Sequence, residues 1–400
     1  MGTSRICLAL AFFASGSAFA EAKPAPLQTL PADKLQALAP LLRSNDLALI
    51  ESGDKGVMKQ LTTVTLVAAP AAEVRDVVIH PERYGQFVRN MKESTVKPEP
   101  GGTLFHSYAI NYTIYTVDGR HRYVFDKEGA GGGPPAVEMY DPDSNGVRHY
   151  RWEFLPVGSA TLLVLYGFTV VPRDGFMSKF LNQAPSLEYG LALIPQLTLA
   201  LAVKERTVAL RGGKREALPS GDPGSYDFLL DRGTVALLRT AAGRLSDISL
   251  IDRTTAKPDA LVKVASEPIH WANFMPTIHR STPLGNVQGM SGVELEQSLP
   301  LMSWTSTFAY KSEPGAVDLF GVSGDLHGTR FRWDVRARDA THSELVLRAI
   351  QHYEQGSMVV HELYKLEPLF EYGVDVGLGL VQLQAVRARA EQLTTSRATR

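Results

Sequence analysis

Apolar positions recur at helical spacing in a few stretches of the chain and alternate with polar ones in many more. Lys34–Leu42 and Asp227–Leu238 each carry one apolar face and are expected as amphipathic helices. Alternating strands follow them, Lys59–Val67 and Leu245–Ile251. Ala71–Ile79 has Val74, Val77 and Val78 at helical spacing, and Pro258–Ala265 is its counterpart. Pro81 and Pro268 forbid easy continuation of these helices. Behind them the pairs Tyr84/Phe87 and Trp271/Phe274 point to another short helix that closes against an aromatic plug. Meanders come next. Leu104–Thr116, Arg120–Asp126, Val147–Phe154 and Thr161–Val171 alternate in the first half. Val293–Leu299, Trp304–Tyr310, Val317–Ser323, Thr329–Ala337 and Ser343–Gln351 do so in the second. Gly and Asp punctuate between them, as hairpin turns require. Long apolar-faced helices, Pro185–Val208 and Leu366–Leu393, end the two halves.

The same element order thus occurs twice, and so does the sequence. Ala69–Ser94 matches Ala256–Ser281 without a gap at an offset of 187. Val77 meets Val264, Pro81 meets Pro268, Tyr84 meets Trp271, Phe87 meets Phe274 and Met91 meets Ile278. Leu42–Glu51 matches Leu230–Arg239 at offset 188. Arg151-Trp152-Glu153 matches Arg332-Trp333-Asp334 at offset 181, and Glu188-Tyr189-Gly190 matches Glu371-Tyr372-Gly373 at 183. Four ordered blocks with slowly drifting offsets read as two homologous α+β domains, 34–210 and 226–395, joined by a Gly-, Pro- and charge-rich linker, 211–225. A curved antiparallel sheet crossed by one long helix leaves space on its concave face, the usual setting of an apolar ligand site.

Composition narrows the function. The 41 Lys+Arg balance 42 Asp+Glu, and a net charge of -1 gives no basic excess for nucleic acid. Residues 1–20 read as a secretory signal peptide: Arg5, an apolar Ile6–Ala14, and Ala18-Phe19-Ala20 as the cleavage pattern. Cleavage is expected after Ala20. It removes one Arg and no acid, so 40 basic residues face 42 acidic ones and the mature charge is -2. It also removes Cys7, the single cysteine, which excludes disulfides, thiolate metal sites and a Cys nucleophile. The mature protein is expected to be exported, to the periplasm, and to use no cofactor.

The run Ala69-Pro70…Val74…His80-Pro81-Glu82…Tyr84…Phe87-Val88…Asn90-Met91 resembles the opening of the START-like (SRPBCC, helix-grip) superfamily, in its coenzyme-Q-binding and polyketide-cyclase branch. Pro268, Trp271, Phe274 and Pro276 carry the same resemblance in the second half. It implies two tandem helix-grip domains, each a curved antiparallel sheet wrapped around a long C-terminal helix with an internal apolar cavity. Members of that superfamily bind sterols, phospholipids, quinones or polyketides, and only some are enzymes. Duplication and export set this chain apart from the usual single-domain members.

The residues expected to line such cavities are Tyr84, Phe87, Tyr108, Tyr112, Arg151, Trp152, Tyr189 and Leu193 in the first repeat. Trp271, Phe274, Arg332, Trp333 and Tyr372 are their candidates in the second. In both Arg-Trp-acid motifs alternation puts Trp opposite its charged neighbours, so the Trp is either core or ligand wall. Tyr189 and Tyr372 either meet a ligand at the cavity mouth or anchor the closing helix. The Leu-rich stretch Leu187–Val203 is either core or a transient membrane contact. His121, His149, His352 and His361 are scattered, and His270 and His279 are expected at the surface. Gly131-Gly132-Gly133 precedes no helix start and reads as a loop. No catalytic or metal-binding set stands out.

The leading expectation is an exported protein that binds or transfers a hydrophobic, lipid-like molecule: a sterol, hopanoid, quinone or acyl lipid. The alternatives are an aromatase/cyclase-like enzyme, with Arg151, Arg332, His121 and Tyr112 as its polar groups, and a scaffold with degenerate cavities. Protein partners are not legible.

Overall fold

The computed structural model describes residues 27–53, 58–112, 115–126, 135–141, 148–169, 181–182, 185–241, 244–299, 302–350 and 370–398. The expected signal peptide, Gly131–Gly133, His352 and His361 lie outside them. The helices are α1 (Ala32–Ala37), α2 (Ala71–Val78), α3 (Leu187–Leu210), α4 (Asp227–Leu230), α5 (Pro258–Ser266) and α6 (Phe370–Ala398). Pro258 opens α5, where its missing N–H costs nothing. Each aromatic plug is a 3-10 turn, Pro81–Gln86 and Pro268–Asn273.

The strands of the first repeat are β1 (Asp46–Ser52), β2 (Met58–Val67), β3 (Met91–Pro98), β4 (Leu104–Tyr112), β5 (Tyr115–Asp126), β6 (Ala136–Tyr140), β7 (Arg148–Val157) and β8 (Ala160–Thr169). Those of the second are β9 (Thr234–Ala241), β10 (Arg244–Thr254), β11 (Ile278–Val287), β12 (Met290–Leu299), β13 (Met302–Glu313), β14 (Ala316–Gly324), β15 (Arg330–Ala337) and β16 (Ser343–Ile350). The strand order β3-β4-β5-β6-β7-β8-β2-β1 of the first recurs as β11-β12-β13-β14-β15-β16-β10-β9 in the second. The duplication read from sequence is therefore a duplication of topology.

The chain forms two compact units, as far as the described residues go. One comprises Thr65–Val170 and Leu197–Ser220 with the chain up to Gln36. Its core gathers Val74, Val77 and Val78 of α2, Trp152, Leu163 and Leu165 of the sheet, and Ala200 and Val203 of α3. The other comprises Ala37–Val64, Val171–Gln196 and Gly221–Arg400. There α6 packs on β10, with Gly379 against Leu250, and Arg387 pairs with Asp252 at 2.5 Å. The boundary within α3 falls one residue after Pro195.

In this second unit β1 and β9 pair antiparallel. Asp46 meets Leu238, Ala48 meets Ala236 and Ile50 meets Thr234. With the offset of 188 the ladder is symmetric about Ala48, which faces its own counterpart, while Leu47 faces the counterpart of Leu49 and Asp46 that of Ile50. A bidentate ion pair, Arg232 to Glu51 at 2.9 Å for both contacts, closes the end of this ladder.

Four expectations need correction. Asp227–Leu238 is not one helix, because α4 ends at Leu230 and β9 begins at Thr234. Lys34–Leu42 is likewise α1 followed by a 3-10 turn at Leu41–Arg43, and β1 comes next. The Val235–Leu238 run is largely buried, and continuous burial mimics an apolar helix in sequence. Gly233 breaks the pattern for a reason: a Cβ there would sit 2.1 Å from the Ile50 carbonyl oxygen. The strands β3 and β11 stand at the two ends of the strand order and are mostly exposed, so no apolar alternation marks them. The fourth is the short β6, which fell between two expected strands.

Candidate functional site

The register of β4 to β7 decides which side chains share a face. His106 pairs with His121 and Leu104 with Tyr123. Tyr123 pairs with Met139, Val137 with Trp152, and Met139 with Tyr150. Paired residues point the same way, so His106, Tyr108, His121, Tyr123, Tyr150 and Trp152 all lie on the inner face of the first repeat. Trp152 is fully buried in the core described above, its Nε1 donating to Met139 Sδ at 2.9 Å.

Arg151 points to the other face. Its guanidinium donates to Glu138 at 2.6 Å and to Glu153 at 2.8 Å, and the Tyr166 hydroxyl also donates to Glu153. Burial raises the Glu138 carboxyl, but hydrogen bonds from His149 and Arg151 outweigh it and hold the group below the usual carboxylate range. Arg332 repeats the pattern with Asp318 at 2.7 Å and Asp334 at 2.9 Å. Here Arg330 and Arg348 also reach the two acids. Arg151→Met should therefore cost about 2 kcal/mol, since Glu153 stays buried with no cation. Arg332→Met should cost under about 1 kcal/mol, because both acids keep a second arginine, and urea unfolding of the two variants measures the difference.

The inner face of the first repeat is polar at its β3–β5 end. His106 is 2 % exposed and touches three phenol rings: Tyr84 at 5.7 Å, Tyr108 at 5.4 Å and Tyr123 at 5.7 Å between centroids. His121 lies 5.0 Å from Tyr108 and 5.5 Å from Tyr150. The Ser94 hydroxyl donates to the Pro81 carbonyl at 2.5 Å, so its oxygen must accept from His106 Nε2 at 2.9 Å. This fixes the proton on Nε2 and leaves Nδ1 an acceptor, 3.5 Å from the Tyr123 oxygen. Tyr84 donates to the Val78 carbonyl at 2.9 Å, and Tyr84 and Tyr123 are hydrogen-bonded to each other. Burial pushes both phenols up and pushes His106 down to about 4. At neutral pH His106, Tyr84 and Tyr123 are therefore an uncharged set of donors and acceptors. Tyr108, Tyr150 and Phe87 are only half-buried.

The second repeat lacks this chemistry. Ser281 pairs with Leu295 as Ser94 pairs with Tyr108, and Val293 pairs with Phe308 as His106 pairs with His121. The offset of 187 thus runs on through β13. Val293, Leu295 and Phe308 stand where the first repeat has His106, Tyr108 and His121, and offset 181 puts Phe331 at Tyr150. Phe308 and Phe331 lie 5.9 Å apart, matching the His121–Tyr150 contact. Trp271 donates to the Val264 carbonyl and meets buried Trp333 edge-on at 6.3 Å.

Of the other expected site residues, Tyr189 donates its hydroxyl to Ser52 at 2.7 Å, and Leu193 and Tyr372 are buried. Gly190 and Gly373 of the repeated Glu-Tyr-Gly motif meet at a helix crossing. Phe87 lies under the Arg206 guanidinium, and Phe274 borders a groove beside α6. Tyr112 ends β4, and its side chain lies outside the described residues. His106 was not among the candidates from sequence. Its signal was the alternation His106, Tyr108, Ile110 read against Val293, Leu295, Gln297.

No protein-family model and no curated protein matches the chain. Similar solved structures include the Zhui aromatase/cyclase from Streptomyces sp. R1128, 17 % identical over 36 % of this chain and 93 % of that one, TM-score 0.32. The di-domain aromatase/cyclase StfQ of the steffimycin biosynthetic pathway is 14 % identical over 83 % and 98 %, TM-score 0.29. A STAR-related lipid transfer protein from Xanthomonas axonopodis is 15 % identical over 40 % and 93 %, TM-score 0.30.

Proposed function

We propose that the protein is an exported binding or transfer protein that holds a hydrophobic, lipid-like molecule on the inner face of its first repeat, with the second repeat as structural support. One observation carries the reading. Buried His106 and His121, with their tyrosines, occupy positions where the homologous second repeat has valine, leucine and phenylalanine. A fold that is stable with an apolar inner face has no structural need for two buried imidazoles. An apolar wall with a few convergent polar groups is the common form of a small-molecule site. The apolar body of a sterol, quinone or acyl lipid would pack on the wall, and its polar group would meet the imidazoles and phenols. Such a ligand must be taken from and returned to a membrane. The helix α3 is long and apolar enough to cross one, but 67 % of its most apolar window is buried, as in a core helix.

A cyclase-like enzyme is the second reading, because a neutral imidazole among phenols can take up and return a proton. In that reading His121 and His106 replace Arg151 and Arg332, which are committed to ion pairs on the opposite face.

Native mass spectrometry of the mature chain, residues 21–400, with analysis of an organic extract tests the proposal. The expected result is a bound lipid that His106→Phe/His121→Phe loses at least tenfold. Retention of the lipid by that variant, or a protein that takes up no sterol, quinone or fatty acid, rejects the carrier. Turnover of an added poly-ketone would move the enzyme ahead of it.

A further inference from the structure

In the second repeat a groove of about 300 Å³ runs between α5, the Pro268–Asn273 turn and the last turns of α6. That volume is at the lower end for small-molecule sites. Val264, Phe274 and Leu393 give it an apolar floor. Lys263, His270 and Arg389 stand around it with Glu267 as the carboxylate of the rim. Among the described residues none of these four is in an ion pair, and Lys263 and Arg389 are exposed. The rim therefore holds two permanent cations against one acid.

In the first repeat the matching arginine is engaged by its own neighbours. Arg206 and Phe87 are the counterparts of Arg389 and Phe274 at offsets 183 and 187. There Arg206 lies over the Phe87 ring at 5.7 Å and donates to Gln86 at 3.4 Å, so the arginine caps its own aromatic. Arg389 instead donates to Gln392 on its own helix at 3.3 Å. From the apolar floor and the uncompensated cations we propose that the groove binds a single-tailed amphiphilic anion, a fatty carboxylate. Its chain lies along Val264, Phe274 and Leu393, and its carboxylate sits between Lys263 and Arg389 with His270 as a further donor. The site is separate from the inner face of the first repeat and does not depend on that reading.

Calorimetric titration of the mature chain with dodecanoate, below its aggregation concentration, tests this. Dodecanoate should bind, and dodecanol and acetate should each bind at least tenfold more weakly, since one lacks the charge and the other the chain. Lys263→Met/Arg389→Met should weaken dodecanoate at least tenfold with an unchanged melting curve, both side chains being exposed. Binding within threefold of the parent in that variant overturns the site, as does no binding by the parent. Loss in His106→Phe/His121→Phe alone would also overturn it, placing dodecanoate in the first repeat and leaving the carrier reading intact.

Discussion

Gly190→Ala is expected to destabilise the protein by about 3 kcal/mol, the cost of forcing extra volume into a packed contact. The sign makes the test sharp. Alanine in place of glycine inside a helix ordinarily stabilises by about 1 kcal/mol. At Gly190, however, a Cβ would lie 2.0 Å from the Gly373 carbonyl oxygen and 3.2 Å from the Gly377 Cα. These are backbone atoms of the facing helix and cannot rotate away, so α3 and α6 would have to move apart. Gly373→Ala should cost less. Its nearest neighbours, Ile194 Cγ1 and Cδ1 at 2.3 and 2.4 Å, can change rotamer, although the Gly190 carbonyl at 2.7 Å still resists. Urea unfolding followed by circular dichroism measures both. A Gly190→Ala protein as stable as its parent would mean that the helices do not cross at this distance.

Acid should weaken the fold through His106. Its imidazole titrates near 6.5 when exposed and is pushed down to about 4 by burial. Between those values the unfolded chain binds a proton that the folded chain refuses, so falling pH favours unfolding. Above pH 6.5 both forms are neutral and the effect is absent; below about 4 it is complete. At about 1.4 kcal/mol per pH unit the loss reaches about 3 kcal/mol across this window. In His106→Phe the difference in stability between pH 7 and pH 4 should shrink by about that amount. A variant with the parent's full pH dependence would assign the acid sensitivity to other groups.

The sequence made the duplication legible because the prolines and aromatics that end α2 and α5 are fixed by backbone geometry and plug packing, and these resist drift. Topology followed from it. The segments that misled are those where local pattern and tertiary setting disagree. Val235–Leu238 reads as the tail of a helix, and only its pairing with β1, with Gly233 against Ile50, makes it a strand. In β3 and β11, exposed ends of the strand order, no buried face imposed a pattern. At the candidate site the aromatic residues were visible but their roles were not. Trp152 and Trp333 turned out to be core, and Arg151 and Arg332 belong to charge clusters on the far face. His106 went unread and His121 looked isolated, because the two are fifteen positions apart and pair only through the β4–β5 register. Carrying the 187-residue offset past Ser94 would have exposed the contrast with Val293 and Phe308 without any coordinates.

The pairing of β1 with β9 has a consequence for how the fold is kept together in dilute solution. Six of the seven residues of β1 are buried. A single repeat cut from the chain would present that strand uncovered, and the geometry that seats β9 on it would equally seat a second β1. Separate repeats would therefore face a monomer–dimer equilibrium and lose their partners on dilution. Covalent linkage replaces that equilibrium with an intramolecular one at an effective concentration on the order of millimolar. The duplicated chain is thus a dimer whose two halves need not find each other.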